Sequence, residues 1–252
     1  MIRLFRKIRQ KLLIDGKFGK YLLYAIGEII ILIFGILFAL QVNNWNEDRK
    51  EKIVEISVLK TFKAELEKDN SLWQDDIDLH TDAMVSMQNI IDHIEKDLPY
   101  TDSLSYHFIN ASVNSKFAYN QGALVTLKST GVIIITNEKL RNEIVELYTN
   151  WFDYMMYLTR HMDKWQNFGS EFIWSTRFDQ AEYFDDYLTQ KEWDGAMIPL
   201  DFEGLKIDDE YKYFLRTYKN STKYYLDELI NTRSRVDQIV LDIEKEIEEL
   251  EK

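Results

Sequence analysis

Residues 21–47 read YLLYAIGEIIILIFGILFALQVNNWNE, and one acid, Glu28, sits in a run that otherwise suits lipid. Between Tyr21 and Val42 the strongly polar residues are Glu28 and Gln41. As a helix these residues rise about 33 Å, enough to cross a hydrocarbon core. The run holds fourteen Leu, Ile, Val and Phe residues. Each contributes roughly −0.3 to −0.6 kcal/mol to insertion, a sum on the order of −4 to −8 kcal/mol. A single acid costs about 3 kcal/mol. Insertion is therefore expected despite Glu28.

The flanks set the orientation. Arg3, Arg6, Lys7, Arg9, Lys11, Lys17 and Lys20 precede the run against only Asp15, whereas Arg49, Lys50, Lys52 and Lys60 lie among acids beyond it. The positive-inside rule places the N-terminus in the cytoplasm. Trp45 suits the far interface as an aromatic anchor. The apolar core is longer than that of a cleaved signal peptide, so an uncleaved signal anchor is expected. Ile2, Phe5, Ile8 and Leu12 share one helical face opposite most of the basic residues. That pattern fits a helix lying on an anionic leaflet, and it also fits a plain orientation signal. The expected organisation is a basic cytoplasmic amphipathic segment over 1–20, a membrane anchor over 21–45 and a periplasmic helical bundle over 46–252.

The formal net charge is −12, yet residues 1–20 carry +6, so the remainder sums to −18. An acidic body of this kind repels phosphates and argues against nucleic acid as a partner. Cysteine is absent, which excludes disulfides and thiolate metal sites. Two prolines and nine glycines point to long uninterrupted elements.

Beyond Trp45 the apolar period is close to 3.5. Leu59, Phe62, Leu66, Trp73, Ile77, Met84, Met87, Ile91 and Ile94 form a first helical stripe that ends before Pro99. A less regular second segment begins near Thr101 or Asp102 and includes NQGALVTLKSTG, where Gly131 suits a helix C-cap. VIII (132–135) reads as a short buried connector, and Asn137 suits an N-cap. A third stripe carries Leu140, Ile144, Leu147, Trp151, Met155, Leu158, Met162, Trp165 and Phe172. Residues 176–208 read as loop with short helices. The last stripe runs Tyr211, Phe214, Tyr218, Tyr225, Leu229, Val236, Ile239, Ile243, Ile247 and Leu250. The alternating charge of LDIEKEIEELEK is that of a solvated coiled-coil face. The fold class is all-α, one transmembrane helix followed by an antiparallel bundle of four segments, with no sheet expected.

Two stretches resemble a known group. The opening FRKIRQKLL with the apolar run that follows, and ALVTLKSTGVIIITNEKLRNEIVELY (123–148), are similar to shared stretches of an uncharacterised family of small membrane proteins abundant in Bacteroidota. The apolar run and the second stretch cover about a fifth of the chain. The resemblance implies a gram-negative inner-membrane protein with a periplasmic body, and it carries over no catalytic residue.

The chemistry available is sparse. His80, His93, His107 and His161 form no pair at zinc-ligand spacing. His80 lies on the apolar stripe between Trp73 and Met87, so a satisfied core histidine is expected there. No phosphate-cradling loop, nucleophile elbow or catalytic cysteine occurs in the sequence. No enzymatic role, metal or cofactor is expected. The body is aromatic, with WFDYMMYLTRHMDKW, EYFDDYL and YKYFLRTYKNSTKYYLDEL. Large rings in a bundle core account for most of this, and an aromatic pocket between helices is the alternative.

Glu28, Gly35 and Val42 are spaced by seven and share a face with Ala39. A small-residue stripe with an acid at its cytoplasmic end suits close contact with another membrane helix, because an intramembrane acid faces protein or water. Glu28, Gly35 and Ala39 are thus the expected helix-contact residues, and Trp45 the interface anchor. The leading expectation is an anchored scaffold in a homo-oligomer or larger membrane complex, in contact with lipid. The alternatives are a ligand-sensing bundle that signals through a partner and a proton-driven subunit using Glu28.

Overall fold

The computed structural model describes residues 18–182 and 195–252. The basic amphipathic segment expected at the N-terminus falls almost wholly outside the described residues, as does most of EYFDDYL. The described residues are overwhelmingly helical, so the all-α class holds. They divide into two compact units, one ending at Glu55 and one spanning Ile56–Lys252.

Helix α1 (Phe18–Glu95) is unbroken across the expected span. From Ala25 onward it is long and apolar enough to cross a membrane, with a mean hydropathy of 2.4 in its most apolar window and none of that window buried. No proline interrupts the helix, and its termination is local. Asp97 adopts φ 51° and the Leu98 N–H bonds back to the His93 carbonyl, just ahead of Pro99.

In the Ile56–Lys252 unit three long helical runs enclose the core. The first is α1 from Ile56. The second comprises α4 (Glu138–Glu146), a π-helical turn (Leu147–Trp151), α5 (Phe152–Phe168), a second π-helical turn (Gly169–Trp174) and α6 (Ser175–Arg177). The third is α8 (Asp209–Leu250), started by Asp208, whose side chain accepts the Tyr211 N–H at 2.9 Å. Leu59, Phe62, Leu66, Trp73 and Met87 of α1 are buried, as are Leu140, Ile144, Phe152 and Met155 of the second run and Tyr218, Leu229, Val236 and Ile243 of α8.

A polar seam fixes α8 antiparallel to α1. Lys60 pairs with Glu251 at 2.7 Å, Lys63 with Glu244 at 2.7 Å and Arg216 with Glu95 at 2.7 Å. Between them Asn70 donates to Asp237 at 2.6 Å. Arg233 also donates to Gln74, and Lys219 to Gln88. Pairs this exposed contribute little energy each, but together they specify register.

The expected second helical segment departs from a long helix. It is two short helices, α2 (Ser103–Asn110) and α3 (Gly122–Thr130), joined by a stretch without helix. Side chains of the long helices satisfy that stretch. Trp73 Nε1 donates to the Ala118 carbonyl at 2.8 Å, and Gln166 Nε2 to the Ser112 carbonyl at 2.6 Å. Asp69 accepts the Asn120 N–H at 2.9 Å. Among the described residues the bundle therefore has three long helical runs where four segments were expected.

Gly131 does end α3, with φ 100° and its N–H on the Leu127 carbonyl at 2.9 Å. Asn137 does cap α4, accepting the Leu140 N–H at 3.1 Å. The VIII connector, however, buries only its last residue. Ile135 is fully covered, whereas Val132 and Ile133 are 42% and 78% exposed. The turn there is a single 3₁₀ turn (Val132–Ile134), and so short a turn cannot direct consecutive side chains inward.

The stretch read as loop contains a small antiparallel hairpin, β1 (Phe178–Glu182) with β2 (Ala196–Pro199), followed by α7 (Phe202–Ile207). The pair is irregular, with a register shift between Phe178 and Gln180. Phe178 and Met197 are buried, and Phe178 meets Phe108 of α2 edge-on at 5.0 Å. The hairpin is held by that apolar seat rather than by strand length.

Candidate functional site

Three places merit a chemical reading. The first is the apolar part of α1. Helical geometry puts Glu28, Gly35 and Ala39 along one side. Glu28 is half-buried, while Gly35, Ala39 and Trp45 are exposed. A Cβ placed on Gly35 would meet nothing within 4 Å, so the backbone is open to close approach. Ala39, Val42, Trp45 and Arg49 border a shallow depression of about 410 Å³ on this unit.

The second is a buried polar group in the bundle. His80 is fully covered, its Nε2 lies 3.0 Å from Ser115 Oγ, and its ring meets Tyr225 edge-on at 4.9 Å. Burial pushes the His80 imidazole down to about 4, so it is neutral at pH 7. One turn earlier, Asp76 is pushed up to about 6 by burial, opposed in part by a hydrogen bond from Ser115. Serine, histidine and aspartate are thus in contact, but in the wrong order for nucleophile activation. A triad needs the acid on the imidazole nitrogen that faces away from serine. Here Asp76 sits on the serine, and His80 Nδ1 has no hydrogen-bond partner among the described residues. The expectation of a core histidine fits the burial, although only one ring nitrogen is satisfied. No group of three metal-ligating side chains occurs among the described residues.

The third is a surface groove where α5 meets α8. One hollow of about 520 Å³ is lined by Trp165 and Phe168 of α5 and by Tyr213 and Phe214 of α8, with His161 and Lys164 beside them. His161 also borders a smaller and more polar hollow of about 250 Å³, lined by Leu158 and Met162 on one side and by Thr217, Asn220, Ser221 and Tyr225 on the other. Local sequence explains the groove. Gly169 lacks the Cβ that would stand 2.8 Å from Phe214 Cζ and 2.9 Å from Trp174 Cη2, so both rings close over its backbone. Phe214 is buried and stacks on Tyr218 at 5.6 Å, forming the floor. Phe168 and Tyr213 remain 40% and 69% exposed.

The polar edge of the groove is ordered. Trp165 Nε1 donates to His161 Nε2 at 3.2 Å, which puts the proton of a neutral His161 on Nδ1. Glu210, also on the edge, is held at 2.5 Å by Arg177 Nη2. Arg177 in addition pairs with Asp208 at 2.8 Å. Near the far end Tyr154 and Tyr224 share a hydrogen bond of 2.5 Å, and that bond above all pushes the Tyr154 hydroxyl up to about 12.

The expected third stripe explains why an aromatic pocket stood only as the alternative to core packing. Trp151 and Trp165, expected in the core, are half-buried, and Phe172 is 51% exposed while Ile173 is fully covered. The π-helical turn at Gly169–Trp174 inserts an extra residue into the helical phase and moves the inward position from 172 to 173. Trp151 instead carries Arg235, whose guanidinium carbon lies 3.7 Å from the ring centroid.

No curated protein and no solved structure matches the chain. A family match runs from Glu28 in the apolar part of α1 through α2 to α6 and ends at residue 187. Since residues 28–187 are well over half of the chain, the protein belongs to a family of unknown function, DUF6090.

Proposed function

We propose that the protein is a membrane-anchored helical interaction protein, working in a homo-oligomer or a larger membrane complex. The observation that carries this reading is the bare small-residue face of α1, where Gly35 has open space around its Cβ position and Ala39 is exposed. Lipid offers an apolar helix no hydrophobic reason to associate, so association depends on backbones approaching across small residues and on polar side chains bonding between helices. Glu28 supplies such a polar group one heptad from Gly35. In this reading the N-terminus is cytoplasmic and the body lies in the periplasm of a gram-negative cell, as the charge asymmetry around the span supports. Trp45 anchors the outer interface, and the protein has no catalytic role.

The test is purification of the full chain in mild detergent with mass measurement of whatever co-elutes. The expected result is a particle heavier than one 30.2 kDa protomer. A lone protomer would contradict the assembly reading. The groove between α5 and α8 supports a second reading, a ligand-sensing bundle that passes its signal to a partner. Hollows of several hundred Å³ with a few placed polar groups are typical of small-ligand sites.

A further inference from the structure

We propose that the α5–α8 groove binds a small amphipathic anion, a compact apolar or aryl body carrying one carboxylate, with Lys164 as the group that selects the charge. This rests on the ligand-sensing reading and names the ligand class for it. The walls of the groove are rings, and Phe168 and Tyr213 keep much of their area in water although the core beside them is filled. Exposed aromatic faces next to a packed floor are what a flat or linear apolar body can cover.

Charge then decides among occupants. Besides the Tyr213 phenol, three charged or titratable side chains edge the larger hollow: His161, Lys164 and Glu210. Glu210 is already held by Arg177, and His161 Nε2 by the Trp165 indole. Lys164 is exposed and makes no ion pair among the described residues. That is notable on a chain whose residues after position 20 sum to −18, where acids to pair with are abundant. The larger hollow is thus mainly apolar with, among the described residues, one uncommitted cation, and its complement is an apolar body with one anionic head. A second copy of this acidic body is a poor occupant, since like charges would face each other across the contact. A cationic ligand would meet Lys164, and the acid on that edge, Glu210, is already bonded to Arg177.

The experiment uses the full chain in lipid nanodiscs, with empty nanodiscs as blank, and saturation-transfer NMR titrations. The probes are three soluble isosteres: phenylbutyrate, phenylbutanol and phenylbutylamine. Phenylbutyrate should bind about threefold to fivefold more tightly than the alcohol, the range an exposed ion pair supplies, and the amine most weakly. Lys164→Gln should remove the preference for the acid and leave the alcohol unchanged within about twofold. Tyr213→Ser should weaken all three. Both side chains are exposed, so neither change threatens the fold, and an unaltered melting curve checks this. Saturable binding with no preference for the acid, or a preference that survives Lys164→Gln, overturns the anion assignment and leaves ligand sensing standing. No saturable binding of any of the three overturns both.

Discussion

A Cβ on Gly122 would stand 2.5 Å from Glu65 Oε1, because the Glu65 carboxylate of α1 lies over the first turn of α3 and its Oε2 accepts the Ala123 N–H at 2.9 Å. A carboxylate there satisfies an orphan amide and meets the positive end of the helix dipole. Gly122→Ala should push the carboxylate off the amide and cost about 1–2 kcal/mol in chemical denaturation, in line with loss of a cap. In a Glu65→Ala background the clash is gone, and the same glycine change should become neutral or favourable through helix propensity. An equal cost in both backgrounds would show that Glu65 does not govern Gly122.

The tryptophans should separate by burial. Trp73 is 1% exposed, stacks on Phe117 at 5.0 Å and donates its indole N–H to Ala118. Trp73→Ala should cost about 3–5 kcal/mol. Trp165 lines the groove and is half-buried. Trp165→Ala should cost clearly less, on the order of 1–2 kcal/mol. Equal losses of melting temperature would place Trp165 in the core after all.

Acid should act on the bundle through His80 and Asp76 with opposite signs. The His80 pKa is lowered to about 4 in the fold, so between the ordinary histidine value near 6.5 and 4 the unfolded chain takes up a proton that the native one refuses. Stability falls as pH drops through that window, by on the order of 3 kcal/mol in full. Asp76 is raised to about 6, so the native chain holds a proton down to the ordinary value near 3.8 that the unfolded chain has released. Its contribution is complete at low pH and lost as pH rises through about 6. Asp76→Asn should therefore steepen the loss of stability between pH 6 and 4, and His80→Gln should flatten or reverse it. Parallel pH profiles for both variants and the parent would contradict these shifts.

Much of the fold was legible in the sequence because burial follows the helical period wherever the helix is regular. The stripes from Leu59 to Trp73 and from Tyr211 to Ile247 are inward as their spacing requires. Legibility ended where the backbone left that period. The extra residue of a π-helical turn moved burial from Phe172 to Ile173, and no composition signal announces such a turn. The hairpin escaped because AMIP is too short to show alternation, and its seat on Phe108 is a tertiary contact. The groove was legible only as the alternative of an aromatic pocket, for a related reason. Tyr213 lies between the buried Tyr211 and Phe214, and a sequence rich in rings does not say which of them face water.

Orientation has a direct reporter. With seven basic residues before the span and an acidic body after it, alkaline phosphatase fused at the C-terminus should be active. A fusion that is inactive while a C-terminal cytoplasmic reporter is active would invert the topology.

The assembly claim is tested most directly by light-scattering mass of the detergent-solubilised full chain as parent, Glu28→Gln, Glu28→Leu and Gly35→Leu. The parent and Glu28→Gln should share one mass above a single protomer, because an amide still donates and accepts hydrogen bonds between helices. Glu28→Leu should weaken association by about 1–2 kcal/mol. Gly35→Leu should shift the mass furthest towards the protomer, since its side chain fills the space where another backbone would approach. A parent that elutes as a lone protomer, or a Gly35→Leu chain with the parent's mass, would contradict the account.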